Sequence, residues 1–115
     1  MSAAAPPGTH VAELAAMRCR PDAPRLSAAE LAAHAAALPG WSCAGGKLEK
    51  TFAFANWQQT LAFVNALAWI AERADHHPDL GVHYARCVVA FTTHDAGGVT
   101  LNDVVCAARV ERLYA

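Results

Sequence analysis

Three imidazoles cluster along this chain. His76 and His77 stand in the run Asp75-His76-His77-Pro78, and His94 follows sixteen residues after Pro78 in the run Thr92-Thr93-His94-Asp95. Histidine ordinarily titrates at about 6.5, so it can give and take protons near neutrality, and such a grouping suits general acid/base catalysis. Metal binding is the competing chemistry. It is less well served, because adjacent histidines aim their rings in different directions and the i, i+4 spacing that sets two imidazoles on one helical face is missing. Taken singly, the same residues also fit structural duties: a histidine near a helix C-terminus interacts well with the helix dipole, and His94 could simply occupy a turn. His10, His34 and His83 are expected on the surfaces of an arm, a helix and a strand.

The four cysteines, Cys19, Cys43, Cys87 and Cys106, form no C-x-x-C pair, so neither a zinc ribbon nor a redox motif is indicated and they read as reduced thiols. Cys87 falls in an apolar strand pattern, where a buried thiol is normally inert. With nine basic and ten acidic residues among 115, and no Lys/Arg cluster, the chain lacks the electrostatic footprint of a direct nucleic-acid binder. A small neutral partner fits better. The longest apolar run, from Leu61 to Ala71, is interrupted by Asn65 and falls short of the roughly 20 residues that cross a bilayer. The first residues have neither the basic start nor the apolar block of a signal peptide, which points to the cytoplasm.

The length allows one domain with a single core. Residues 1–25, rich in proline and alanine and without sustained period, read as a flexible N-terminal arm outside that core, with one short helical turn around Val11 to Met17. The folded domain is expected over residues 26–115. Ser27 followed three residues on by Glu30 is a capping box, Leu26 can staple to Leu31, and Pro39-Gly40 ends the helix so begun. From Trp41 to Phe54 the period changes to alternation around Gly45-Gly46, the pattern of a hairpin. Asn56 with Gln59 opens a second helix, in which Trp57, Leu61, Val64, Ala68 and Ala71 form one stripe and Phe63, Leu67 and Ile70 lie beside it. A helix so apolar has more surface than one sheet can cover, so its second face is expected to pack against another subunit.

Pro78 must end that helix and leave His76 and His77 at its exit. Val82 to Tyr84 and Cys87 to Thr93 read as a second hairpin, Asp95 to Gly98 as a turn, and Thr100 with Asp103 as the start of a last helix whose apolar face is Leu101, Val104, Val105 and Ala108. The order is α-β-β-α-β-β-α: an α+β fold with a four-stranded antiparallel sheet and three helices packed on one face. If the strand stays extended to its end, Ala90, Thr92 and His94 share a face, and that end can approach the helix exit. Glu72, four residues before His76, could fix that imidazole and raise its pKa.

The span from Leu26 to Val110 resembles the pterin-4a-carbinolamine dehydratases. The residues that carry the likeness are Glu72, Asp75-His76-His77-Pro78, Thr92-Thr93-His94-Asp95, Gly98-Val99-Thr100, and Pro39-Gly40-Trp41. The resemblance implies a cofactor-free dehydration of 4a-hydroxytetrahydrobiopterin, or a related pterin, to the quinonoid dihydropterin, the recycling step that follows aromatic amino-acid hydroxylation. It further implies that His76 and His94 are the acid/base groups, that His77 orients the pterin, and that Asp75, Thr92, Thr93 and Asp95 line the pocket. It also implies a homodimer or homotetramer, and an aromatic amino-acid hydroxylase as a possible upstream partner. Leu80 stands where many relatives carry tryptophan, and Asn102 where some carry arginine. Some relatives of this family act instead as transcription cofactors or as assembly factors, a role that would rest on helix surfaces rather than on imidazoles.

Overall fold

The elements begin where the sequence supplies caps. The computed structural model describes residues 10–114, in the order α1 (Val11–Ala16), α2 (Ala28–Ala36), β1 (Ser42–Ala44), β2 (Lys47–Ala53), α3 (Trp57–Ala74), β3 (Asp79–Val82), β4 (Arg86–Phe91) and α4 (Leu101–Tyr114). Ser27 Oγ accepts from the Glu30 amide at 3.1 Å, and the Glu30 carboxylate accepts from the Ser27 amide at 2.8 Å, which closes the box that opens α2. Asn56 Oδ1 accepts from the Gln59 amide at 2.8 Å and starts α3 in the same way. Each such cap satisfies amides that have no partner within the helix, and is worth about 1 kcal/mol.

The α+β order expected from the sequence is present from α2 to α4. Its sheet is antiparallel throughout, in the spatial order β1-β2-β4-β3. Gly45 and Gly46, both at positive φ (59° and 76°), form the two-residue turn between β1 and β2, where a side chain would be strained. Leu48 pairs with Phe91 and Phe52 with Cys87, so Leu48, Phe52, Cys87, Val89 and Phe91 share one buried face, which Lys50 interrupts with its Nζ held by Glu111 at 2.8 Å. The second hairpin is shifted from its expected place. β3 begins directly after Pro78 and ends at Val82, and the His83 amide donates to Arg86 O at 2.9 Å to close the turn.

Three expectations are corrected. The stretch assigned to an arm outside the core includes α1, whose Leu14 is fully buried. Burying such a side chain contributes about 1.5–3 kcal/mol. Arg109 of α4 holds the helix in place, its Nε donating to Ala15 O at 3.0 Å and Nη2 to Met17 O at 2.6 Å, on carbonyls left free at the helix end. The rest of that expectation, residues 1–9, lies outside the described residues. Second, His34 is buried rather than on the helix surface.

The third correction concerns which helix faces are covered. On α3 the buried stripe is Thr60, Phe63, Leu67 and Ala71, one position round from the stripe led by Trp57. Thr60 is tolerated inside because its hydroxyl reaches Asn56 O at 2.9 Å and Tyr84 O at 3.0 Å. Trp57 and Trp69 stay 44% and 65% exposed, so α3 covers the core with one face and leaves the other bare. α4, by contrast, is buried from Leu101 to Ala108 around most of its circumference, because α1 covers a side that the sheet and α3 do not reach.

Candidate active site

α3 does not end at Pro78 but at Ala74, four residues earlier, because Asp75 adopts a left-handed conformation (φ 49°, ψ 44°). Aspartate is among the few non-glycine residues that visit that region readily. The His76 amide then donates back to Ala71 O at 3.1 Å, closing the helix end. This turn removes His76 from the helical spiral, so the i, i+4 relation between Glu72 and His76 does not exist. The Glu72 carboxylate pairs instead with His77 Nε2, at 3.0 Å, and both side chains are mostly solvent-exposed.

His76 turns inward. Its Nε2 meets Asp103 Oδ1, and its ring lies parallel to Phe91, centroids 6.1 Å apart and planes 8° from parallel. Asp103 is completely buried, and three groups meet its second oxygen: the Thr93 hydroxyl at 2.8 Å, the Thr100 amide at 2.8 Å and the Thr100 hydroxyl at 3.5 Å. A buried carboxylate with this many donors is fixed in place. The hydrogen bond that His76 donates to Asp103 raises the His76 pKa; burial opposes it, and the charge of Asp103 adds to the rise. The sequence marked Asp103 only as part of a helix start. It serves as that cap and, with its other oxygen, as the partner of His76.

A cavity of about 670 Å³ opens beside this pair. It is within the usual range for small-molecule sites. Asp75, His76, Thr93 and Asp95 line it, together with Ala74, Ala96 and Asn102. The opposite wall is residues 19–25, the connection between α1 and α2, which sequence reasoning had set outside the domain. Asn102 clamps that wall: its Nδ2 donates to Arg20 O at 2.7 Å and its Oδ1 accepts from the Arg20 amide at 3.0 Å. Arg25 pairs as a bridge with Thr100, and its stem crosses Gly98 so closely that a Cβ there would lie 2.7 Å from Arg25 Cδ. A side chain at position 98 would have to displace the Arg25 stem.

The other expected site residues fall elsewhere. β4 ends at Phe91, Thr93 bridges to Gly98, and His94 opens a single 3-10 turn, His94–Ala96. The alternation that would have put Ala90, Thr92 and His94 on one face is therefore broken. The Thr92 hydroxyl donates to Gly46 O at 2.8 Å, on the β1–β2 turn, and takes no part in the cavity wall. His77 and His94 are exposed and absent from the lining, though the neighbours of His94 on both sides, Thr93 and Asp95, belong to it. Pro78 sits between the site and β3. Leu80, on the edge strand β3, is 37% exposed.

Residues 24–113 match the family model described as pterin 4 alpha carbinolamine dehydratase. The chain belongs to that family. Among its relatives are a protein of Chromobacterium violaceum assigned to the pterin-4-alpha-carbinolamine dehydratases, 62% identical over 77 residues that cover 67% of this chain and 71% of the relative. One from Xanthomonas oryzae with the same assignment is 58% identical over 92 residues, 78% of each. The fold is shared with a crystal structure from Brucella melitensis described as a transcriptional coactivator/pterin dehydratase, at a TM-score of 0.77 and 29% identity over 79% of this chain and 99% of that one. A pterin dehydratase-like protein described as a RuBisCO assembly factor of the alpha-carboxysome aligns with a TM-score of 0.55 and 28% identity, over 65% of this chain and 87% of its own. The family match begins at residue 24, so most of the cavity wall formed by residues 19–25 lies before the matched region. Among the described residues no helix is long and apolar enough to cross a membrane.

Proposed function

We propose that this protein dehydrates a pterin 4a-carbinolamine, 4a-hydroxytetrahydrobiopterin or a close relative, to the quinonoid dihydropterin, with His76 as the proton donor. The observation that carries the reading is His76, paired with Asp103, on the wall of a cavity of about 670 Å³. Loss of water from C4a requires a proton on the departing hydroxyl while the N5 lone pair pushes and the N5 proton leaves. An imidazole whose pKa is raised by a buried carboxylate holds its proton more firmly than a free one and is suited to the first task. His94 is the proposed base for the N5 proton, from the rim formed by Thr93 and Asp95, and His77, held by Glu72, is the proposed orienting group. Asp75, Thr93 and Asp95 offer polar contacts to the ring. An aromatic amino-acid hydroxylase is the class of enzyme that would supply the substrate, in the cytoplasm. The test is quinonoid dihydropterin formation followed spectroscopically with and without the protein. A rate equal to the uncatalysed one would defeat the proposal.

The bare face of α3, where Trp57 and Trp69 are 44% and 65% exposed, supports a homodimer or homotetramer. Sedimentation at micromolar concentration decides it, with a monomer as the refuting result. The same face favours the second reading, a non-catalytic interaction protein of the transcription-cofactor or assembly-factor kind. That reading prevails if turnover is absent while Trp69→Ser still abolishes self-association or partner binding.

A further inference from the structure

At the cavity wall the sulfur atoms of two cysteines far apart in sequence meet. Cys19 Sγ lies 3.8 Å from Cys106 Sγ and 3.9 Å from Asn102 O. Cys19 is partly exposed and lines the cavity, on the connection between α1 and α2, whereas Cys106 is completely buried in α4. We propose that Cys19 and Cys106 are a peroxide-oxidisable dithiol, which closes to a disulfide and staples the cavity wall of residues 19–25 to α4. The chemistry is independent of pterin turnover.

The two thiols have complementary roles. A reactive cysteine needs thiolate character and access, and a resolving cysteine needs only to be adjacent. Cys19 has both: a hydrogen bond from Cys106 brings its pKa down to about 7, against the opposing effect of burial, and the charges of Arg109 and His76 help while Asp103 resists. Cys106 keeps its proton, since the bond to Cys19 and burial both raise its pKa. The Cys19 thiolate attacks one peroxide oxygen, the O–O bond breaks, and hydroxide leaves a sulfenic acid on Cys19. That step removes the negative charge that had held the proton on Cys106. The Cys106 sulfur then attacks the Cys19 sulfur, the S–O bond breaks, and the departing hydroxide takes the thiol proton as water. Two thiols and one peroxide give one disulfide and two waters.

The sulfurs must close to a bond of about 2.05 Å. Cys106 is fixed within a helix, so the movement falls to Cys19 on its connecting segment. The other partly accessible thiol among the described residues is the exposed Cys43, whose pKa is raised by its surroundings. It has no sulfur partner among the described residues and provides an internal control.

The experiment treats reduced protein, freed of reductant, with stoichiometric hydrogen peroxide, blocks remaining thiols with N-ethylmaleimide, and maps peptides without reduction. The expected product is a linked peptide joining Cys19 to Cys106, lighter by two hydrogens and reversed by dithiothreitol. Cys43→Ser leaves its yield unchanged. Cys106→Ser stops at a single-oxygen adduct on Cys19 that dimedone traps, and Cys19→Ser leaves Cys106 unmodified. The proposal is overturned if oxidation falls on Cys43 and the linked peptide is absent, or if the link disappears in Cys43→Ser. Those two outcomes are read on the wild type and a surface variant, so they hold even where Cys106→Ser fails to fold.

Discussion

His76 and His77 are neighbours in sequence and share neither partner nor surroundings. The left-handed turn at Asp75 sends His76 inward onto Asp103 and Phe91 and leaves His77 outside with Glu72. The difference in consequence is large. An exposed ion pair such as Glu72–His77 contributes about 0–1 kcal/mol and weakens with salt. A pair in which one partner is wholly buried fixes the ring's direction, its tautomer and its proton affinity. In the proposed reaction the inner histidine, held by its carboxylate, would be the acid, while the outer one faces solvent.

The widest separation between the two is expected in turnover. General acid/base groups are worth about 10²- to 10⁴-fold in rate, so His76→Ala should lose a factor in that range in dehydration, with circular dichroism showing an intact fold. His77→Ala should lose about tenfold or less, mostly in KM, because its proposed role is to orient substrate. Equal losses in the two variants would remove the distinction. His94→Ala lies between them if it accepts the N5 proton from the rim, and matches His77→Ala if water takes that proton instead.

Asp103→Asn sharpens the comparison from the partner's side. The amide keeps the size of the side chain but loses the charge that raises the His76 pKa, so the limb of the rate profile governed by His76 should move to lower pH. The substitution also forces an NH₂ group toward donors that now point at carboxylate oxygens, which should cost about 1–3 kcal/mol in denaturant unfolding. Glu72→Gln is the control on the outer pair. It should leave both the profile and the stability within experimental error.

Much of this arrangement was legible in the residues, and the part that was not has a physical reason. Capping boxes and alternation are local signals, so the starts of α2 and α3 and the turn at Gly45-Gly46 are where Ser27, Asn56 and the glycine pair indicate. What periodicity cannot say is which of two apolar stripes faces inward. On α3 that depends on neighbours contributed by distant parts of the chain, and Thr60, polar by type, is buried because Tyr84 O waits for its hydroxyl. The helical turn expected around Val11 to Met17 is there as α1, but its packing into the core was missed for the same reason: its place is set by Arg109, more than ninety residues away. In the site, His76 was legible and its partner was not. The expected Glu72 lost that role to a backbone turn at a single residue, and Asp103 was disguised as an ordinary helix cap.

The smallest expected effect sets His76 against a third histidine, the buried His34. Because Asp103 raises the His76 pKa above 6.5, the folded protein binds that proton more tightly than the unfolded chain does. This contribution to stability is whole below about 6.5 and fades as pH climbs through the raised folded value. Burial lowers the pKa of His34, so the folded protein binds its proton less tightly. That contribution is whole above about 6.5 and is lost as pH falls through the lowered value. The two slopes oppose each other. Urea midpoints across the pH range should therefore fall less steeply on the alkaline side in His76→Gln and less steeply on the acidic side in His34→Gln. Since the slope is the readout rather than the absolute stability, a cost of repacking in either variant does not obscure it. Unchanged slopes in His76→Gln would mean that the Asp103 contact does not hold the proton, and the proposed acid would then need another hold on it.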